Sequence, residues 1–177
     1  MNGSYISLGN VVDLLLEPNG FTSTDTGLIG SIFVICGLIS SIIFPIIIEK
    51  HLWFLKSLKI ICYGAFLSSL LALCAVPSEN LSYVLISFGL LGFFLIPTMS
   101  IVYALATEAT YPISEALFGS LLQAASGITG TIISYFMTYV IRSIGTMPAL
   151  GFLVIFYLLC SLLTLLVKED LRRIRGA

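Results

Sequence analysis

Few side chains in this sequence can act on a solute, and most lie along one side of one apolar segment. Between Ala116 and Ile141, helical spacing lines up Gly119, Gln123, Ser126/Gly127, Gly130, Ser134 and Thr138, with Leu121, Ala125, Ile128, Ile132 and Phe136 opposite. An amide, hydroxyls and bare backbone can hydrogen-bond a solute or let another helix approach closely. Facing hydrocarbon, they need a neighbouring helix or a wet cavity. The chemistry this pattern offers is recognition without covalent change. The single histidine, His51, supplies neither a zinc cluster nor a His-based triad. Cys36, Cys62, Cys74 and Cys160 are placed singly, with no CxxC pair, and read as small buried hydrophobes. The apolar segments hold no paired carboxylates and no activated nucleophile, so neither an enzyme, a cofactor nor a metal is expected.

The elements that position these groups follow from composition. The chain has 177 residues, 58% of them hydrophobic and only 10% charged, with a mean hydropathy of +1.10. A soluble domain carries about 25% charged residues. The charges leave uncharged intervals at 26–48, 60–78, 80–107, 116–141 and 143–167. About 20 apolar residues cross the ~30 Å of bilayer hydrocarbon, so five spans are expected, at about 27–48, 57–76, 81–107, 115–141 and 147–167. The stretch from Tyr5 to Glu17 carries Asp13 and Glu17 and is too short to cross. It lacks the basic region of a signal peptide, and reads as the outer end of a helix whose beginning is absent. Pro18-Asn19-Gly20 ends it, and Ser23/Thr24/Asp25 is an N-cap zone for the next span.

Orientation follows from the basic residues. Lys50, Lys56 and Lys59 lie between the first two full spans, and Lys168, Arg172, Arg173 and Arg175 follow the last. Four crossings separate the groups, which puts both on one side and leaves only Arg142 opposite. The positive-inside rule makes that side cytoplasmic, with residues 168–177 a basic cytoplasmic tail. Gly27/Ser31 and Gly37/Ser41 have the four-residue spacing of close helix packing. Trp53 and Phe54 suit an interfacial anchor, and Asn80-Leu81-Ser82 matches a glycosylation sequon by chance. Pro97 interrupts the third span and bends it, a device of moving transporter helices. Glu108, at the border of that span, is expected to pair with the basic loop. The last span, with only Ser161 and Thr164 as polar residues, reads as peripheral and lipid-facing.

The block GFF…ATEATYPISE…GSLLQAASGITG, residues 92–130, resembles the feline leukaemia virus subgroup C receptor-related group of the major facilitator superfamily. Thr110–Glu115 is its specific part. Asp25–Gly30 is similar to the start of that group's eighth helix, and Asp170–Arg173 to its tail. The resemblance implies an all-α integral membrane fold, equivalent to the C-terminal six-helix bundle of a twelve-helix carrier, with Tyr5–Glu17 the end of the seventh helix. It also implies transport of a small organic solute, choline- or ethanolamine-like or haem-like, at mid-membrane between two halves. By the same resemblance Tyr5 is a cavity aromatic able to hold a quaternary ammonium. Gly127 stands where the group has a substrate-facing glutamine, with Gln123 one turn away. Glu49 keeps the acid of the loop after the eighth helix.

The expectation is therefore alternating access around a site lined by Tyr5, Gln123, Ser126 and Gly127, with Pro97, Glu49, Glu108, Pro112 and Glu115 in gating or structural roles. No charge sits in mid-span, so uniport is preferred over proton coupling. The implied partners are the lipid bilayer, expected to be the plasma membrane, the solute, and a second six-helix half from this or another chain. The alternative is a truncated or regulatory membrane protein that binds a full carrier without transporting.

Overall fold

The computed structural model describes residues 1–51, 54–78, 80–103 and 115–166. Its helices are α1 (Asn2–Leu16), α2 (Ser23–His51), α3 (Phe54–Ala75), α4 (Leu81–Leu95), α5 (Glu115–Ser143) and α6 (Thr146–Leu166), with 3-10 turns at Glu17–Asn19 and Val76–Ser78. Among the described residues, five stretches are long and apolar enough to cross a membrane: Ser23–Ile48, Leu55–Ser78, Leu81–Tyr103, Gly119–Ser143 and Thr146–Leu166. Their number is the five expected, and residues 104–107 and 167 of the expected spans lie outside the described residues.

Packing arranges the helices as a ring in the order α1, α2, α4, α3, α6, α5 and back to α1. The most extensive faces are α2 on α4, α1 on α5 and α3 on α6. The main core is drawn from all six helices, including Leu8, Phe33, Ala65, Phe88, Met137 and Tyr157. A second cluster, with Phe44, Ile48, Leu58, Ile61 and Ile101, closes the end where α2 finishes and α3 begins. Hydrocarbon surroundings give no hydrophobic drive between helices, so close backbone approach and satisfied polar groups must hold the ring.

Close approach is concentrated at glycines. A Cβ on Gly92 would lie 2.1 Å from the Phe33 carbonyl oxygen, so α4 lies against bare α2 backbone there. Gly3 and Gly130 bring α1 and α5 together, a Cβ on Gly3 falling 2.8 Å from the Gly130 nitrogen. Gly37 packs against Ile96, but Gly27 meets nothing within 4 Å. Of the two small-residue pairs expected to pack, the Gly27/Ser31 pair is therefore open. Buried Ser40 and Ser87 are satisfied within their own helices, Ser40 Oγ donating to the Gly37 carbonyl at 2.8 Å and Ser87 Oγ to that of Val84 at 2.9 Å, whereas the Ser7 hydroxyl is buried without a partner among the described residues.

The helix ends obey local chemistry. Gly20, at φ 83°, closes the turn after α1 where Pro18-Asn19-Gly20 predicted a stop. The cap of α2 lies one residue before the expected zone, at Thr22. Thr22 Oγ1 accepts from the Asp25 N–H at 3.3 Å, and Asp25 Oδ2 accepts from the Thr22 N–H at 3.0 Å, a reciprocal capping box. Asn80 caps α4 by accepting from the Ser82 N–H at 3.2 Å, which gives the sequon asparagine a structural role. Pro97 does break its span: α4 ends at Leu95, and helix resumes over 98–103. Proline offers no N–H to the carbonyl four residues back, and nearby Thr98 Oγ1 donates to the Phe94 carbonyl at 3.2 Å.

The last helix is less peripheral than its sequence suggests. It packs on α3 and buries Leu153, Tyr157 and Ser161. Its aromatic row, Phe152, Phe156 and Tyr157, continues to Phe136 of α5 at a ring separation of 4.8 Å from Phe152.

Candidate functional site

α1 is the element around which the candidate site is built. Its apolar face (Leu8, Val11, Leu15) faces the core, leaving Gly9, Asn10 and Asp13 exposed. α2 flanks it on one side and α5 on the other.

A cleft of about 820 Å³ runs between α1 and α2. Tyr5, Asn10, Gly30, Ser31, Phe33 and Phe88 are among its lining residues. Tyr5 and Phe33 stack, with ring centres 5.8 Å apart and planes 13° from parallel. Tyr5 is half-buried, while Phe33 and Phe88 are buried. The lining is aromatic and aliphatic with a few hydroxyl and amide groups, the composition of a small-molecule site.

The four residues expected to bind solute do not share one hollow. Tyr5 lines the large cleft. Ser126 lines a separate hollow at the end where α3 begins. Gln123 is exposed, and a Cβ on Gly127 would meet nothing within 4 Å. The side of α5 that meets the bundle is centred on Ser126, Gly130, Ile133 and Met137, rotated from the line through Gln123. Gly130 is consumed by packing on Gly3 and Ile6. Gln123, Gly127 and the exposed Thr131 form an open polar flank. Asn10 joins the two regions, since it lines the cleft and its Nδ2 lies 3.5 Å from Ser134 Oγ on α5. One continuous open surface thus runs over α2, α1 and α5.

Sequence reasoning missed Asn10, Ser31, Phe33 and Phe88. Phe33 and Phe88 look like ordinary apolar positions, and only the α1–α2 packing shows them bordering a cleft. Asn10 carried a usable signal, as an amide in an otherwise apolar stretch. Of the gating residues, Pro97 is at the break described above. Glu49 is in the last turn of α2 and Glu115 opens α5, though their side chains lie outside what is described. Glu108 and Pro112 lie outside the described residues.

No family model matches the sequence. Known proteins do. The chain is 26% identical over 172 residues to the choline/ethanolamine transporter flvcr2a of Danio rerio, covering 97% of this chain and 37% of that protein. It is 28% identical over 149 residues to the choline/ethanolamine transporter FLVCR2 of Homo sapiens, covering 84% and 28%. An uncharacterized MFS-type transporter of Caenorhabditis elegans is 28% identical over 161 residues, covering 90% and 27%. These transporters are homologues of this chain. The resemblance read from residues 92–130 therefore extends over nearly the whole sequence. The chain spans about a third of the length of the curated relatives it matches. Its five apolar spans and its transporter homologues together make it an integral membrane protein.

Proposed function

We propose that the chain acts as one six-helix half of a carrier that moves a small cationic organic solute, choline- or ethanolamine-like, by alternating access against a second half. The observation that carries this is the α1–α2 cleft, with the Tyr5–Phe33 stack in its wall and Asn10 and Ser31 beside it. An aromatic face attracts a quaternary ammonium through its quadrupole, by about 0.5–2 kcal/mol depending on desolvation. Asn10 and Ser31 supply polar contacts for a hydroxyl. Asp13, exposed one turn beyond Asn10, adds negative potential on the same side of α1. The named activity of the homologues supports the same solute class.

In this reading the open surface over α2, α1 and α5 faces the second half, and the solute passage lies between them. Gln123, Ser126 and Gly127 contribute from α5, and Glycines 9, 27, 30 and 127 keep the surface shallow. The break at Pro97 gives the third span a hinge. The basic residues orient the C-terminus toward the cytoplasm of a plasma membrane protein. The solute moves down its own gradient, because described mid-span positions of α2 to α6 carry no acid or base to couple a proton.

The test is uptake of labelled choline into vesicles containing the chain. Saturable uptake is expected, with Tyr5→Phe retaining it and Tyr5→Leu losing about three-fold or more, as removal of one cation–π contact predicts. Uptake unaffected by Tyr5→Leu contradicts the assigned cleft. Uptake driven by an imposed pH gradient, without a choline gradient, contradicts uniport.

A further inference from the structure

Two cysteines and two methionines that are scattered in sequence meet in space. At the end of the bundle where α3 begins, a hollow of about 320 Å³ is walled in part by Met1, Cys62, Thr98, Met99, Cys160 and Thr164. Cys62 Sγ lies 3.3 Å from Met1 Sδ, with the thiol donating. Cys62 is fully buried and Cys160 half-buried. Thr164, on the same wall, donates its hydroxyl proton to the Ser161 carbonyl at 2.7 Å. Four sulfur side chains thus border one small hollow, brought there by the start of α1, by α3, by α6 and by the helix that resumes after Pro97.

Thiolate and thioether sulfur select soft cations. Zinc sites use four thiolate, imidazole or carboxylate ligands. Among the described residues no group of three or more His, Cys, Asp or Glu stands close enough to hold a metal. The soft ion that two thiolates and two thioethers suit is monovalent copper, and the Met1 α-amino charge beside Cys160 offsets the second thiolate.

We propose that Cys62, Cys160, Met1 and Met99 form a copper(I) site. Cys62 and Cys160 each lose a proton to solvent as the metal binds, and the two methionine thioethers complete the coordination as neutral donors. The metal enters and leaves as copper(I), so no electron is transferred. The site is separate from the α1–α2 cleft and does not depend on the solute proposed above.

The full chain, purified in detergent under reducing conditions, is titrated with copper(I) against a chromophoric copper(I) chelator. One copper(I) per chain is expected, with affinity rising about a hundred-fold per pH unit because two protons are displaced. X-ray absorption is expected to show sulfur ligands alone. Cys62→Ala and Cys160→Ala should each weaken binding by about ten-fold or more, the loss that follows from removing a metal-site partner. Cys36→Ala and Cys74→Ala should leave it unchanged. Failure to compete with the chelator overturns the proposal, as does full retention in the Cys62→Ala/Cys160→Ala double variant. Should those variants not fold, nitrogen or oxygen ligation in the unsubstituted chain overturns it instead.

Discussion

A methyl group at position 92 has nowhere to go. The Cβ of Gly92→Ala would sit 2.1 Å from the Phe33 oxygen and 2.8 Å from its carbonyl carbon. That is roughly 1.3 Å inside ordinary contact distance, and both atoms are backbone, so no rotamer change relieves it. α4 must withdraw from α2, loosening Phe88, Leu91 and Leu95 from the core they share with Ile29 and Phe33. Overpacking of this kind costs about 1–3 kcal/mol, and a backbone clash belongs at the upper end. For a chain of this size each kcal/mol shifts Tm by about 2–4 °C, so a fall of roughly 5–10 °C is expected. Thermal unfolding in detergent, followed by circular dichroism, reads it. Gly127→Ala is the matched control, with no atom within 4 Å of its Cβ, and should leave Tm unchanged. Equal Tm for the two variants would refute the close α2–α4 contact and the ring built on it.

Three further outcomes follow from the same geometry. Gly130→Leu should separate α1 from α5, because its Cβ already meets the Gly3 oxygen at 3.0 Å, and protease cleavage near Asn19 should rise as α1 detaches. Thr22→Ala should cost about 1 kcal/mol through loss of the α2 cap, visible as faster amide exchange over Ser23–Thr26, whereas Thr22→Ser should restore protection. Pro97→Ala should join α4 to the helix over 98–103, raising thermal stability while slowing choline uptake; unchanged uptake would remove the hinge role.

The spans were legible because charge is excluded from them: Asp25, Glu49, Lys59, Glu79, Glu115 and Arg142 mark their borders. Where a residue type has one strong local use the backbone was legible, as at Gly20, which ends a helix, and at Pro97, where an interruption of the third span was expected. The α1–α5 contact was half legible. The small face of α5 called for either a neighbour or a cavity, and the structure divides it between both, with Gly130 against Gly3 and Gln123 left open. What could not be read was which separated residues meet. Cys62 and Cys160 stand far apart in the chain with no motif between them, and their shared hollow exists only because α3 packs on α6. Phe33 and Phe88 were hidden for the same reason, since a cavity aromatic and a core aromatic have the same sequence signal.

The central claim is that the surface over α2, α1 and α5 borders water and solute, while the opposite side of α5 meets lipid. Cysteines introduced one at a time, in a background with the four native cysteines replaced by alanine, measure this in bilayer-reconstituted protein. Asn10→Cys, Ser31→Cys and Gln123→Cys should react quickly with a water-soluble thiol reagent and be slowed by choline, while Ile128→Cys and Ile132→Cys should react slowly and ignore it. Equal reactivity in the two groups, with no protection by choline, would contradict the account.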